Sequence, residues 1–371
     1  MQDVFLKRTR EVIIRDFLYL LPFICVFLSC GVEQHTRVET RSIHWNRDCV
    51  EKMAKDPTKG SNPTYKMIIS TALRYCLEPP VTVVNKPYLP EGCTKNDYVS
   101  LSTYAWPDST KAGGMPYVLR DGYDNPEASQ FNWPALLSLI DRMQILTLAW
   151  KLSGDTVYAE KALEQVRAWF INEDTRMAPN LKYAQIVPGV NNNEGNSYGV
   201  LDGYYFVKVL DPLLLLEDYT AFTKAERKAV KSWFTDFLTW ITTSKLGIQE
   251  SLSNNNHGTS YDCQVLAYCI YTGEHRQARR IIKEFPDKRI NTQIEVDGTQ
   301  PHELKRPRSF NYSVMNLDRM MDFLLMAKFY GHPVKEKKLN RYLKAWEFLV
   351  LYNAPQISDS KLNQKKYNFA V

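Results

Sequence analysis

From about residue 131 onward, apolar residues recur every three or four positions with few interruptions, and that period restricts the chain to packed amphipathic helices. The clearest stretch begins at Thr223-Lys224-Ala225-Glu226, a capping box, and continues through Ala229, Val230, Trp233, Phe234, Phe237 and Leu238 on one face. The same spacing runs through Leu136 to Leu152, Val157 to Phe170, Tyr204 to Leu216, Val265 to Tyr271 and Leu317 to Phe329. Gly154, Gly273 and Gly331 each stand where a left-handed residue closes a helix, and a new helical stretch follows each of them. An apolar stripe must be buried against a neighbour, so helical hairpins in series make either an open solenoid or a closed α/α toroid. No short period repeats cleanly, which favours an all-α chain folded as an irregular, incomplete α/α toroid.

Residues 30 to about 130 read differently. They are rich in proline and carry the aromatic, turn-rich stretch from Tyr104-Ala105-Trp106-Pro107-Asp108 to Gly113-Gly114-Met115-Pro116-Tyr117. These are expected to be long ordered loops over the mouth of the barrel, within one domain covering residues 30–371. The segment from Met177 to Asn196 is similar, with Asn180, Tyr183, Gln185 and three asparagines at 191–193. Loops rich in amides and aromatics on a helical scaffold are where a sugar chain is held.

At the start, Lys7, Arg8, Arg10 and Arg15 precede an apolar run from Phe17 to Ser29, thirteen residues, too short to span a bilayer. It reads as the core of a secretory signal over residues 1–29. The following Cys30 resembles the lipidated cysteine of a bacterial lipoprotein, so an exported protein of the periplasm or outer membrane is expected, touching the membrane only through that anchor. The remaining cysteines, Cys49, Cys76, Cys93, Cys263 and Cys269, contain no metal-binding spacing; Cys76 and Cys93 are candidates for a disulfide, and Cys263 and Cys269 share one helix as core residues. The net charge is +6, of which the first 29 residues supply +1 (four basic residues less Asp3, Glu11 and Asp16). A mildly basic exported chain suits a polyanionic ligand, and without Lys/Arg tracts interleaved with aromatics it does not suit nucleic acid.

Two dense segments carry the chemistry. Asn254-Asn255-Asn256-His257-Gly258-Thr259-Ser260-Tyr261-Asp262 packs amides and an imidazole at the start of an apolar helix, although such residues are poor helix formers. Glu303-Leu304-Lys305-Arg306-Pro307-Arg308-Ser309-Phe310-Asn311-Tyr312-Ser313 supplies the cation and the phenol that the first run lacks. With Tyr104 to Asp108, Pro116-Tyr117, Arg120-Asp121-Gly122, Asn125-Pro126-Glu127 and Asn180 to Gln185, these runs give the chain a resemblance to the alginate lyase family of polysaccharide lyases over most of residues 95–330. One branch of that family, of the Bacteroides type, has Asn-Asn-His-Gly followed by Glu-Leu-x-Arg-x-x-Ser-x-x-Tyr-Ser, which this chain matches at Asn255 to Gly258 and Glu303 to Ser313. The resemblance implies an α/α toroid with catalytic residues at Asn256, His257, Arg306 and Tyr312. Tyr104, Trp106, Asn180, Tyr183, Gln185, Asn255, His302 and Arg308 are the expected substrate-binding residues, and Glu303 is expected to orient Arg306.

The chemistry of the residues agrees. Cleaving a 4-linked uronate by β-elimination removes the hydrogen at C5 and expels the oxygen at C4, and needs neither metal nor cofactor. The C5 hydrogen is barely acidic until donors or a cation on the carboxylate let negative charge accumulate there, as in an oxyanion hole. Asn256, with Arg306, fits that task. His and Tyr can each act as acid or base. The resemblance makes Tyr312 the acid and, for mannuronate, also the base, with His257 as base on the opposite face or as a carboxylate neutraliser; a guanidinium beside Tyr312 is expected to favour its phenolate. The expected substrate is alginate, with glucuronan as the alternative uronan, and the chain is expected to work as a monomer. Two other classes stay open at this stage. A toroidal glycoside hydrolase would need a carboxylate pair from Asp202, Asp262, Asp297 and Glu303, and a non-catalytic glycan-binding lipoprotein would use the same loops.

Overall fold

The computed structural model describes residues 42–353, so the signal segment, Cys30 and the polar tail at 361–371 lie outside the described residues. The periodic half of the sequence forms the expected helices. They are α3 (Trp133–Ser153), α4 (Thr156–Val166), α5 (Leu210–Leu216), α6 (Lys224–Thr243), α7 (Lys245–Ser251), α8 (Asn256–Thr272), α9 (His275–Phe285), α10 (Pro301–Leu304), α11 (Ser309–Phe329) and α12 (Asn340–Asn353). Gly154, Gly273 and Gly331 have φ of 81°, 90° and 81°, the left-handed conformation their positions required. The Thr223 capping box is closed in both directions, with Glu226 N–H donating to the Thr223 hydroxyl at 3.2 Å and Thr223 N–H donating to the Glu226 carboxylate at 2.9 Å.

The stretch before residue 130 departs from expectation, for it begins with two helices, α1 (Arg47–Lys55) and α2 (Pro63–Cys76). The prolines there suggested broken chain. Pro63, however, occupies the first turn of α2, where a missing N–H costs nothing, and Asn46 and Asn62 cap the two helices by accepting from Cys49 N–H and Thr64 N–H. Beyond α2 the chain is irregular as expected. Short strands pin it down: β1 (Val99–Leu101) pairs in parallel with β4 (Tyr183–Ile186), and β2 (Ala105–Trp106) pairs antiparallel with β3 (Val118–Leu119). The β1–β4 ladder fastens the two long loop regions to each other, over a small apolar cluster of Val99, Leu101, Ala105, Tyr183, Ile186 and Val187.

The main core lies between the helices. Helix α8 is its axis: every residue from Gly258 to Ile270 is buried, because α8 packs against the 3₁₀ segment Ser197–Val209, α6, α9 and α11 at once. That explains why its sequence shows no polar outer face. Beside it, Trp233 packs edge-on against Phe170 at 4.9 Å and tilted against Phe237 at 4.9 Å, while its indole N–H donates to the Met177 carbonyl at 2.7 Å. Cys263 and Cys269 belong to this core as expected. The suggested disulfide is absent: Cys76 and Cys93 are free, the first among Lys161, Asp155 and Glu164, the second among Asp97, Lys86 and Lys182.

The two kinds of stabilising contact should separate cleanly in urea unfolding. Thr223→Ala removes one cap and should lower the unfolding free energy by about 1 kcal/mol, whereas Trp233→Ala opens a cavity and should lower it by about 4 kcal/mol.

Candidate active site

The first run opens α8. Asn255 is its N-cap and accepts from His257 N–H at 3.1 Å, so the residue that follows the cap is forced into the first turn with its backbone N–H pointing out of the helix. That N–H, of Asn256, donates to Glu303 Oε1 at 2.6 Å, and the Asn256 side-chain amide donates to Glu303 Oε2 at 2.9 Å. A single buried carboxylate therefore satisfies an orphan helix donor and fixes an amide rotamer. It also sits at the positive end of the helix dipole. Burial pushes the Glu303 carboxyl above its ordinary value, against the pull of the Asn256 donors. Glu303 thus orients Asn256 rather than Arg306, contrary to the expectation from sequence.

Arg289 braces the turn just before this helix. It is 1% exposed, pairs with Asp262 at 2.8 Å, and donates to the carbonyls of Ser253 at 2.6 Å and Ser251 at 2.9 Å. The guanidinium passes so close to the backbone of α8 that a Cβ at Gly258 would lie 2.2 Å from Arg289 Nη1 and 2.0 Å from the Ser253 carbonyl. Glycine after the histidine is a steric necessity here.

His257 directs Nδ1 at Glu250 Oε1, 2.7 Å away, a carboxylate that is 2% exposed at the end of α7. Its Nε2 makes no hydrogen bond among the described residues, and the side chain is 19% exposed. Glu250 has no sequence signature, since the pairing crosses the break between α7 and α8. Gln185 was singled out from sequence. It adopts φ 51°, an uncommon conformation for a side-chain-bearing residue, and donates through Nε2 to Asp202 Oδ1 at 2.8 Å. Asp202 is buried, also accepts from Ser100 at 2.6 Å and Tyr98 at 3.0 Å, and lies within electrostatic range of His257. Its carboxyl is raised by burial, with the three donors opposing.

The second run brings the phenol. Tyr312, on the first turn of α11, has its hydroxyl 2.5 Å from that of Tyr104, and the Arg306 guanidinium lies 3.9 Å above its ring centroid. Arg306 is held in place by Asp121 through two parallel bonds of 2.8 and 2.7 Å, leaving Nη1 as its unengaged nitrogen. Its charge lies within electrostatic range of Glu303, which joins the two runs into one site. Arg308 makes the matching contact with Asp124 at 2.9 Å and with the Gly122 carbonyl, so the two arginines clamp the 121–124 loop that follows β3 onto the site. Asp121 and Asp124 were missed as functional partners, although Arg120-Asp121-Gly122 stood out in the sequence.

The expected phenolate is not favoured. Desolvation raises the Tyr312 hydroxyl well above its ordinary value, the Tyr104 hydrogen bond raises it further, and the guanidinium over the ring lowers it by less than these together. Tyr312 is a neutral phenol, poised to give a proton.

The remaining expected residues divide. Tyr104 is half-buried just before β2, in contact with Tyr312, and Trp106 is half-buried within β2, donating to the Tyr123 carbonyl at 2.9 Å and lying under Arg120. Asn255 acts as the helix cap, and Arg308 as the loop clamp. Asn180 folds a turn, accepting from Lys182 N–H at 3.0 Å, and Tyr183 is 2% exposed in the small core, so its ring face is covered. His302 is exposed and makes no hydrogen bond among the described residues. Asn256 itself is fully buried, with its Oδ1 unpartnered, so a ligand reaches this amide only when the overlying side chains shift. The carboxylates a hydrolase would use are otherwise engaged: Asp262 by Arg289, Asp297 by Thr299, Glu303 by Asn256 and Asp202 by Gln185.

The sequence model of alginate lyases matches residues 82–358. The fold is also that of an alginate lyase from Bacteroides ovatus, with a TM-score of 0.79 and 34% identity over 87% of this chain and 87% of that one. The chain belongs to the alginate lyase family. It is a polysaccharide lyase with the family's α/α toroid. A histidine-to-alanine variant of alginate lyase A1-III, a protein of Sphingomonas species A1, was solved with a tetrasaccharide and shares the fold at a TM-score of 0.52 and 16% identity, covering 85% of this chain and 81% of that one. A tyrosine-to-phenylalanine variant of the same lyase, also with a tetrasaccharide, gives 0.52 and 16% over 86% and 82%. No curated protein matches the chain.

The Glu303 contact has a measurable consequence. Glu303→Gln presents one acceptor and one donor to two donors on Asn256, so kcat on a uronate polymer should fall by about tenfold to a hundredfold with KM changed far less. A kcat within twofold of wild type would show that Asn256 needs no orientation.

Proposed function

We propose that the chain cleaves alginate at mannuronate residues by β-elimination, with Tyr312 handling both protons. The observation that carries this reading is the neutral phenol of Tyr312, buried under Arg306 and bonded to Tyr104. In mannuronate the C5 hydrogen and the leaving O4 share one face of the ring. A phenol on that face gives its proton to O4 as the C4–O4 bond breaks and receives the proton from C5 as C4=C5 forms. Tyr312 is neutral before and after, so no phenolate has to persist in a site that disfavours one. His257 Nε2 serves the uronate carboxylate, where the C5 electron pair delocalises, the buried Asn256 amide joins it once the overlying side chains shift, and the unengaged Nη1 of Arg306 adds a cation nearby. Glu250, Glu303 and Asp121 act through these groups by fixing their orientation.

Mannuronate rather than glucuronate rests on the family membership and the Bacteroides ovatus relative, an alginate lyase. The basic, apolar leader ending at Cys30 supports export as a lipid-anchored protein, and nothing in the reaction calls for a second copy of the chain.

Incubated with mannuronate-rich alginate, the protein should release products that absorb in the ultraviolet through a C4=C5 bond conjugated to the carboxylate. Tyr312→Phe should cut that rate by about a thousandfold. Release at the wild-type rate by the phenylalanine variant would refute the role of Tyr312, and faster release from glucuronan would refute the substrate.

A further inference from the structure

The site described above does not use α9, the most strongly basic helix among the described residues. Its inner face, Ala278, Ile282 and Phe285, is buried in the core. Its outer face carries Arg276, Arg280 and Lys283, all exposed and none with a carboxylate partner among the described residues. A fourth cation on the helix, Arg279, is engaged by the Tyr330 hydroxyl. The helical rise places Arg276, Arg280 and Lys283 roughly 4.5 to 6 Å apart along one line. That spacing is on the scale of one sugar ring, and a polyuronate bears one carboxylate on each ring.

The line has a direction. Helix α9 follows α8 across the Gly273 turn and packs back along it, so it runs from the far end of α8 toward the catalytic end. Beyond Lys283 come Lys288, 3.0 Å from Asp262, and Arg289, which holds the Ser251 and Ser253 carbonyls just ahead of the Asn255 cap. Lys283 and Lys288 line a shallow groove with Lys338, in which Asp287 is already paired by Lys338 at 3.0 Å. Glu284 is the acidic residue there that no cation neutralises among the described residues. Lys283 is left facing Glu284 in that groove, so the positive surplus lies on the outer face of α9, at Arg276 and Arg280, and the groove leads from it toward the active site.

We infer that the outer face of α9 is an auxiliary binding track for the acidic polysaccharide itself, holding a stretch of chain outside the cleft while another stretch is cut. The inference rests on the uronate-lyase reading above. Exposed ion pairs are individually weak and strongly screened by salt, so the track acts through repetition along a polymer and contributes nothing for an oligomer too short to reach it.

The test compares wild type with the triple variant Arg276→Glu, Arg280→Glu and Lys283→Glu, and with the milder Arg276→Gln, Arg280→Gln and Lys283→Gln. Turnover of a uronate tetrasaccharide should be unchanged in both variants, which also shows that they fold. Binding to long alginate, measured at low salt in a Tyr312→Phe background, should weaken about tenfold in the charge-reversed variant and less in the glutamine variant. The difference should vanish in high salt. Equal polymer binding by variant and wild type overturns the track, as does a loss confined to vesicles of anionic phospholipid with alginate binding intact. Failure of the wild type to cut any uronate would instead fall on the functional reading, and the binding comparison would still decide the track.

Discussion

The Glu303 carboxylate at the start of α8 is the contact on which the site depends. It bridges 47 residues of sequence, accepts from the backbone and side chain of Asn256, and in doing so fixes where the helix begins. Because α8 is buried on all sides, its end cannot slide without disturbing α6, α9 and α11 together. The position of His257, one residue further on, is inherited from that anchor. The backbone of the segment carrying Glu303 leads within three residues to Arg306, so the same contact places the imidazole and the cation within electrostatic range of one carboxylate.

Around that anchor the site is built by charge pairing between loops and helices. Arg289 with Asp262 sets the turn before α8; Arg306 with Asp121 and Arg308 with Asp124 bind the loop that follows β3, and Arg120 N–H in turn donates to the Tyr104 carbonyl at 2.8 Å. Of the three only Arg289 with Asp262 is buried, and removing one partner of a buried pair leaves the other uncompensated, which is why that contact holds its geometry more firmly than its net stabilisation suggests. The chemistry uses the consequence. A tyrosine hydroxyl desolvated beside a second phenol stays protonated against the pull of the guanidinium over its ring, and the proposed proton exchange leaves it neutral throughout.

Much of the fold was legible because helix periodicity and capping are local. The capping box at Thr223 and the closing glycines at 154, 273 and 331 are written in adjacent residues, and the structure places them as read. The helices α1 and α2 were not legible, since a proline at a first turn and one in a loop look alike until the cap beside it is recognised. The site divides in the same way. Asn256, His257, Arg306 and Tyr312 stood in dense runs, whereas Glu250, Asp121 and Asp202 are single carboxylates whose partners lie across a helix break or a long loop. Tyr183 looked like a sugar platform by composition, but the β1–β4 pairing turns it into core.

The most direct test of the proton exchange at Tyr312 is a single-turnover rate on mannuronate oligomers carrying deuterium at C5. The account requires that this bond break in the chemical step, so the labelled oligomer should react several-fold more slowly than the unlabelled one, each cut leaving one new unsaturated non-reducing end. Equal rates in a turnover limited by chemistry, or cuts that leave no unsaturated end, would contradict it.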